Sequence, residues 1–245
     1  MLIKVYLLLS AATLLAAGRV PHLEERILLG EDTTIEENPW QVAIVWNGGH
    51  HCGGSIYSKD FIITAAHCVD DVEANDLQVR VGSSHRDEGG TLHQVAAFKW
   101  HSGFSRETYA TNDIAIIRLS ESLIFNDRVQ SIPLATEEPE AGTKAKVTGW
   151  GTTLKGRGDG ILQGLEVSII SRGLCQKLKF FVTDDVICAG ALFNSLGGGD
   201  SGGPLTVNNE LVGVVSSGRP FLTGQYVSVV YLKDWIQSTT ESLSE

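Results

Sequence analysis

Gly197-Gly198-Gly199-Asp200-Ser201-Gly202-Gly203-Pro204 sets one hydroxyl among residues with almost no side chains, with an acid directly before it. A serine becomes a strong nucleophile only when a base takes its proton and donors stabilise the oxyanion that follows. Glycines let the backbone turn sharply and bring bare N–H groups close to a substrate. A lone G-x-S-x-G would be an ordinary glycine-rich turn. Here the motif is longer, and two partners of the right type lie upstream, so a catalytic role outweighs a turn.

The first partner is His67, in Thr64-Ala65-Ala66-His67-Cys68, straight after an apolar strand pattern. A single histidine is more often a surface or core residue than a catalyst. The second is Asp113, in Thr111-Asn112-Asp113-Ile114-Ala115, at the head of another strand pattern. A turn or cap is the default there. Neither motif decides the matter alone.

The 245 residues are 42% hydrophobic and 20% charged, which suits one or two compact domains with ample core. Lys4 precedes an apolar run from Val5 to Ala17, closed by Ala16-Ala17-Gly18. Residues 1–18 are therefore predicted to be a secretory signal peptide, too short for a membrane span. No later segment reaches about 18 consecutive apolar residues, so a soluble, extracellular protein with no membrane partner is expected. The formal net charge is -10, and without a Lys/Arg cluster no nucleic-acid partner is expected. Four cysteines in a secreted chain predict two disulfides, with three possible pairings. Their spacing fits no zinc pattern.

Short apolar segments separated by turn signals fill the rest. Strands are predicted at 41–46, 61–65, 77–81, 114–119, 145–150, 165–170, 211–216 and 226–231. Asn47-Gly48-Gly49, Gly89-Gly90 and Asn208-Asn209 punctuate them. This frequency predicts all-β barrels or sandwiches. Leu232, Trp235 and Ile236 predict an amphipathic C-terminal helix over 231–238, and the polar run Thr136–Glu140 a linker.

His67, Asp113 and Ser201, in that order in a secreted all-β chain, resemble the chymotrypsin/trypsin family of serine proteases. The resemblance runs from Ile27 to the C-terminal helix and is closest to small, insect-like digestive members. It implies two antiparallel six-stranded β-barrels with a C-terminal α-helix, the first at about 27–138 and the second at about 139–245. Ser201 would attack the scissile carbonyl, His67 would shuttle the proton, and Asp113 would orient and stabilise the imidazole. The N–H groups of Gly199 and Ser201 would form the oxyanion hole. Cys52 and Cys68 resemble the family bridge beside the histidine, and Cys175 and Cys188 a bridge in the second barrel. Each closes a short loop worth about 3 kcal/mol of denatured-state entropy.

The resemblance also implies a zymogen. Residues 19–26 would be an activation propeptide, cut between Arg26 and Ile27. The freed amine of Ile27 would fold onto Asp200, since a buried charge needs a partner. Trypsin-like members carry an aspartate six residues before the nucleophile, at the base of the specificity pocket. That position is Ser195 here. Without a carboxylate a buried Arg or Lys side chain would be unpaired, which predicts cleavage after uncharged apolar residues. Leu196, Ser217, Gly218 and Gly224 complete the expected pocket.

Three features depart from the family. Gly197 stands where a cysteine bridged to the facing loop is usual, that loop Arg219–Thr223 being short and cysteine-free; Ser217 replaces a customary tryptophan; and Leu196 stands where smaller residues are common. These keep a rival class in view, a weak or silent homologue acting as a binding or regulatory module. Because the pocket would reject arginine, another, trypsin-like protease is expected to cut after Arg26. His50-His51 is expected to lie at the surface, its two side chains on opposite faces of a strand. Asp87-Glu88-Gly89 lies near a loop that binds calcium in some family members, but its few carboxylates make no 6–8-oxygen site. No metal or cofactor is expected. Partners should be protein or peptide substrates, the activating protease and protein protease inhibitors, and the enzyme should be a monomer.

Overall fold

The computed structural model describes residues 30–108, 111–151, 160–178, 182–190, 199–218 and 223–245. The expected signal peptide, propeptide and Ile27, together with Ser195, Leu196, Gly197 and the loop 219–222, lie outside the described residues.

Strand β1 (Glu31–Asp32) is a short edge strand. The next six are β2 (Gln41–Trp46), β3 (Gly49–Ile56), β4 (Phe61–Thr64), β5 (Leu77–Val81), β6 (Thr91–Trp100) and β7 (Ala115–Leu119). They close into a barrel in the order β2-β3-β4-β7-β6-β5. The alternation read from sequence explains β5, where Leu77, Val79 and Val81 are buried and Gln78 and Arg80 half-exposed. The β2–β3 hairpin turns at Asn47 and Gly48, both at positive φ, as a tight two-residue hairpin requires. Val42, Ile44, Ile62, Val79 and Ile116 fill the interior.

The second set is β8 (Lys144–Gly149), β9 (Gln163–Ile170), β10 (Val186–Gly190), β11 (Pro204–Val207), β12 (Glu210–Gly218) and β13 (Gly224–Ser228). Their order is β9-β10-β13-β12-β11-β8, and pairing of β8 with β9 closes the second barrel. β1 pairs with Gln163 and Gly164 of β9, beyond the stretch that β10 covers. Val147, Val167, Leu205, Val212, Val215 and Tyr226 form this core. The expected fold class is the observed one.

Two helices complete the described structure, α1 (Arg172–Leu178) and α2 (Lys233–Ser244). α2 starts later and runs further than the periodicity predicted, and Ile236 packs it into the first barrel's core. β13 ends at Ser228 rather than 231, because the chain turns there into α2. The crossover between barrels lies just ahead of the expected linker. Ile132 N–H still donates to Ile56 of the first barrel, whereas Ala135 N–H donates to Leu211 of the second.

Strands β1, β3, β6, β10 and β11 were not legible from periodicity. β3 is the informative case, with sequence Gly-His-His-Cys-Gly-Gly-Ser-Ile. A Cβ at Gly54 would meet Val42 at 2.9 Å, and one at Gly53 would meet Gly203 Cα at 3.0 Å. Its glycines answer to close neighbours rather than to an apolar pattern. Of the three pairings open to the cysteines, Cys52–Cys68 and Cys175–Cys188 form. Among the described residues no helix is long and apolar enough to cross a membrane.

Candidate active site

His67 sits in a single 3-10 turn, Ala66–Cys68, directly after β4. The Cys52–Cys68 disulfide staples that turn to β3. Asp113 leads into β7, the strand paired with β4, so the barrel ladder alone brings the two residues to the same edge. The contact is double. His67 N–H donates to Asp113 Oδ1 at 2.9 Å, and His67 Nδ1 lies 2.7 Å from Asp113 Oδ2. A carboxylate accepts, so Nδ1 carries the proton and Nε2 is the basic nitrogen of the ring.

Asp113 is fully buried, and a third donor reaches it from the other barrel. Ser216 Oγ on β12 donates to Oδ2 at 2.5 Å. A buried acid needs this degree of pairing. Ser216 had not been singled out from the sequence, where it is one more serine in a strand.

The serine turn is held by the same strand. Val215, next to Ser216, accepts from Gly202 N–H at 2.7 Å and donates to Gly203 at 2.9 Å. From the first barrel, Gly53 N–H donates to the carbonyl of Ser201 at 2.8 Å. Gly202 is at φ +80°, and a Cβ there would lie 2.2 Å from Thr64 Oγ1. Only glycine fits that position. β12 therefore places both the third donor to Asp113 and the turn that carries Ser201.

Gly199 is at φ +105°, and its carbonyl lies 3.1 Å from Nε2 of His50. The expected surface position of His50-His51 is corrected here. Both side chains are half-buried, and they do face opposite ways: His50 to Gly199, His51 to the carbonyl of Cys68. Burial holds both imidazoles below their ordinary pKa, so His50 is neutral and donates Nε2–H to Gly199. Trp150 packs edge-on against His50, with ring centroids 5.9 Å apart.

Asp200 is cradled by backbone. Gly151 N–H donates to its Oδ1 at 2.7 Å. A Cβ at Gly149 would lie 2.2 Å from that oxygen, and one at Gly151 2.3 Å from Oδ2. Tyr226 is buried nearby, and its phenol is pushed up by desolvation first and by the Asp200 charge second.

Of the expected pocket, Gly218 and Gly224 are register partners at the open ends of β12 and β13. Ser217 Oγ donates to Gln225 Oε1 at 3.0 Å, which binds the departing serine to the neighbouring strand. Ligand atoms of Cys52, His67 and Cys68 cluster within 4.8 Å, but both sulfurs are spent in the disulfide and cannot bind a metal as thiolates.

The family model for trypsin matches residues 27–236. The chain belongs to the trypsin family. It is 41% identical to trypsin alpha of Drosophila erecta over 99% of this chain and 100% of that one, and equally close to trypsin alpha of Drosophila melanogaster. Among solved structures it resembles a scabies mite inactivated protease paralogue, S-D1, with TM-score 0.82 and 29% identity over 88% of this chain and 97% of that one. It also resembles neuropsin, a serine protease of mouse brain, with TM-score 0.78 and 28% identity over 86% and 98%. The chain is thus a serine endopeptidase of the trypsin family, acting on protein substrates.

Proposed function

We propose that this trypsin-family protein is a secreted endopeptidase made as a zymogen, with His67, Asp113 and Ser201 as its triad. The observation that carries this is the doubly bonded His67–Asp113 pair, fixed in one tautomer by an acid that Ser216 also holds. His67 Nε2 takes the Ser201 hydroxyl proton as the oxygen attacks the scissile carbonyl. The N–H groups of Gly199 and Ser201 receive the oxyanion. Collapse breaks the C–N bond, His67 returns the proton to the leaving amine, and an acyl ester remains on Ser201. Water, deprotonated by His67, then releases the acid and regenerates the serine.

Cleavage between Arg26 and Ile27 would create the amine that pairs with Asp200. The tight glycine cradle around that carboxylate supports its structural role. Residues 1–18 direct export and 19–26 keep the enzyme silent, leaving 27–245 as the peptidase, a monomer open to protein inhibitors. Ser195 supplies no carboxylate, and the neutral Ser217–Gln225 pair beside the pocket walls adds none. Apolar side chains are therefore preferred over Arg or Lys, and a separate trypsin-like enzyme makes the activating cut.

Organophosphonate labelling before and after cleavage at Arg26 tests this. Labelling of Ser201 only in the cut form is expected. Folded, correctly cut protein that stays unlabelled would overturn it.

A further inference from the structure

Asp113 occupies the middle of a very tight turn. Ile114 N–H donates back to the carbonyl of Asn112 at 2.8 Å, closing three residues on themselves. Asn112 itself is left-handed, at φ +52°, a conformation that a residue with a side chain rarely adopts unless its surroundings hold it. What holds it comes from the other barrel. Asp185, immediately before β10, is 4% exposed, and its Oδ2 accepts the N–H of Asn112 at 2.6 Å. Its own backbone is anchored, since its carbonyl takes Ser228 N–H at 2.7 Å at the end of β13. Thr183 and Thr111 hydroxyls meet at 3.1 Å alongside, a second tie between the same two segments.

A carboxylate this deeply buried is costly unless it has a purpose-built partner. Here the partner is the backbone of the residue next to the proposed triad acid. We infer that Asp185 is a positioning residue, whose carboxylate holds the strained Asn112 turn so that Asp113 faces His67 squarely. Asp113 is then fixed by three groups: His67 itself, Ser216 at Oδ2, and Asp185 acting through Asn112. Two of the three belong to the second barrel, so the alignment of the first barrel's acid depends on how the barrels meet. The inference rests on Asp113 being the triad acid.

The test uses the full chain, activated by cleavage after Arg26, with Asp185→Ala and Asp185→Asn. The asparagine variant keeps a side-chain oxygen that accepts the same N–H; the alanine variant does not. Asp185→Ala should lower kcat by about 10- to 100-fold with KM within about twofold, as expected of misaligned catalytic groups. It should also lose or shift the far-downfield proton resonance of the His67 Nδ1–H···Asp113 bond, and Asp185→Asn should restore most of both. Should the alanine chain not fold, Asp185→Ser, too short to reach Asn112, takes its place with the same expectation. A folded alanine or serine variant with wild-type kcat and an unmoved resonance overturns the inference, as does an asparagine variant that rescues neither. Asp113→Asn run in parallel separates the two ideas. If it leaves activity intact, the triad assignment fails; if it abolishes activity while Asp185→Ala does not, only the role of Asp185 fails.

Discussion

His50 Nε2 stands 3.1 Å from the carbonyl oxygen of Gly199, so a side chain on the first barrel holds the backbone that leads into Ser201 on the second. The bond requires an N–H at Nε2. Burial, the largest influence on this imidazole, keeps it neutral, while the Gly199 carbonyl opposes that effect. Among the described residues its Nδ1 is buried with no hydrogen-bond partner, so a proton arriving there would be charged and unpaired.

A pH dependence of stability follows. His50, His51, His93 and His101 are all held below the ordinary value of 6.5, in each case chiefly by burial. Below about pH 6.5 the unfolded chain binds protons that the folded chain resists, so stability falls as pH drops through that value toward the folded pKa values. Urea midpoints between about pH 8 and 5 should decline on the acid side. His50→Gln, which keeps a donor for Gly199 without a titrating ring, should flatten the decline. A midpoint that rises on acidification would falsify the lowered pKa of these half-buried rings.

Ser216→Ala should cost both stability and rate. It removes a hydroxyl bond to a buried carboxylate, worth about 1.5–3 kcal/mol when the acceptor is charged. Denaturant titration should register a loss in that range. With one fewer group fixing Asp113, kcat should fall about tenfold with little change in KM. Full activity in the alanine variant would mean that His67 and the Asn112 turn suffice to align the acid.

Gly151→Ala tests the cradle around Asp200. The new Cβ would sit 2.3 Å from Oδ2 and 2.4 Å from Cγ, far inside contact distance of the Asp200 carboxylate. Asp200 must move, and Ser201 and Gly199 move with it. We expect kcat/KM to fall on the order of 10²–10³, the cost of losing one oxyanion donor, in a chain whose circular dichroism is unchanged. Normal phosphonate labelling would show that the carboxylate has room to shift.

Specificity is tested at Ser195. The activated enzyme should cleave peptides after apolar residues at least about tenfold faster than after Arg, since a buried cation would lack a partner. Ser195→Asp should raise cleavage after Arg or Lys by at least about tenfold. A peptide library processed equally well after Arg by the unmodified enzyme would contradict the apolar preference.

Strands β2 and β5 were legible with their observed bounds, β5 because alternate residues enter the core and β2 because it is an apolar run buried from Gln41 to Val45. β3 was not, because a Cβ at Gly53 would come within 3.0 Å of the Gly203 backbone and one at Gly54 within 2.9 Å of a Val42 methyl, demands that no apolar pattern shows. Ser201 and His67 stood out because nucleophilic chemistry needs particular groups in particular local settings. His50 was visible but misplaced: alternation correctly sent it and His51 to opposite faces, but could not say that both faces were covered. Ser216 and Asp185 carried no signal at all, since a serine in a strand and an aspartate before one are ordinary.

The sequence by itself carried the all-β class and the glycine-rich turn around Ser201, and its resemblance to a known family pointed to the barrels and to His67, Asp113 and Ser201 as the candidate site. These are local matters of side-chain chemistry, hydrophobic period and φ freedom. The tertiary structure alone decided what holds them: Gly53 against Ser201, His50 against Gly199, Ser216 against Asp113, Asp185 against Asn112. Each of these pairs joins segments far apart in the chain. Such a bond is specified by the meeting of two surfaces, and no short stretch of sequence contains both.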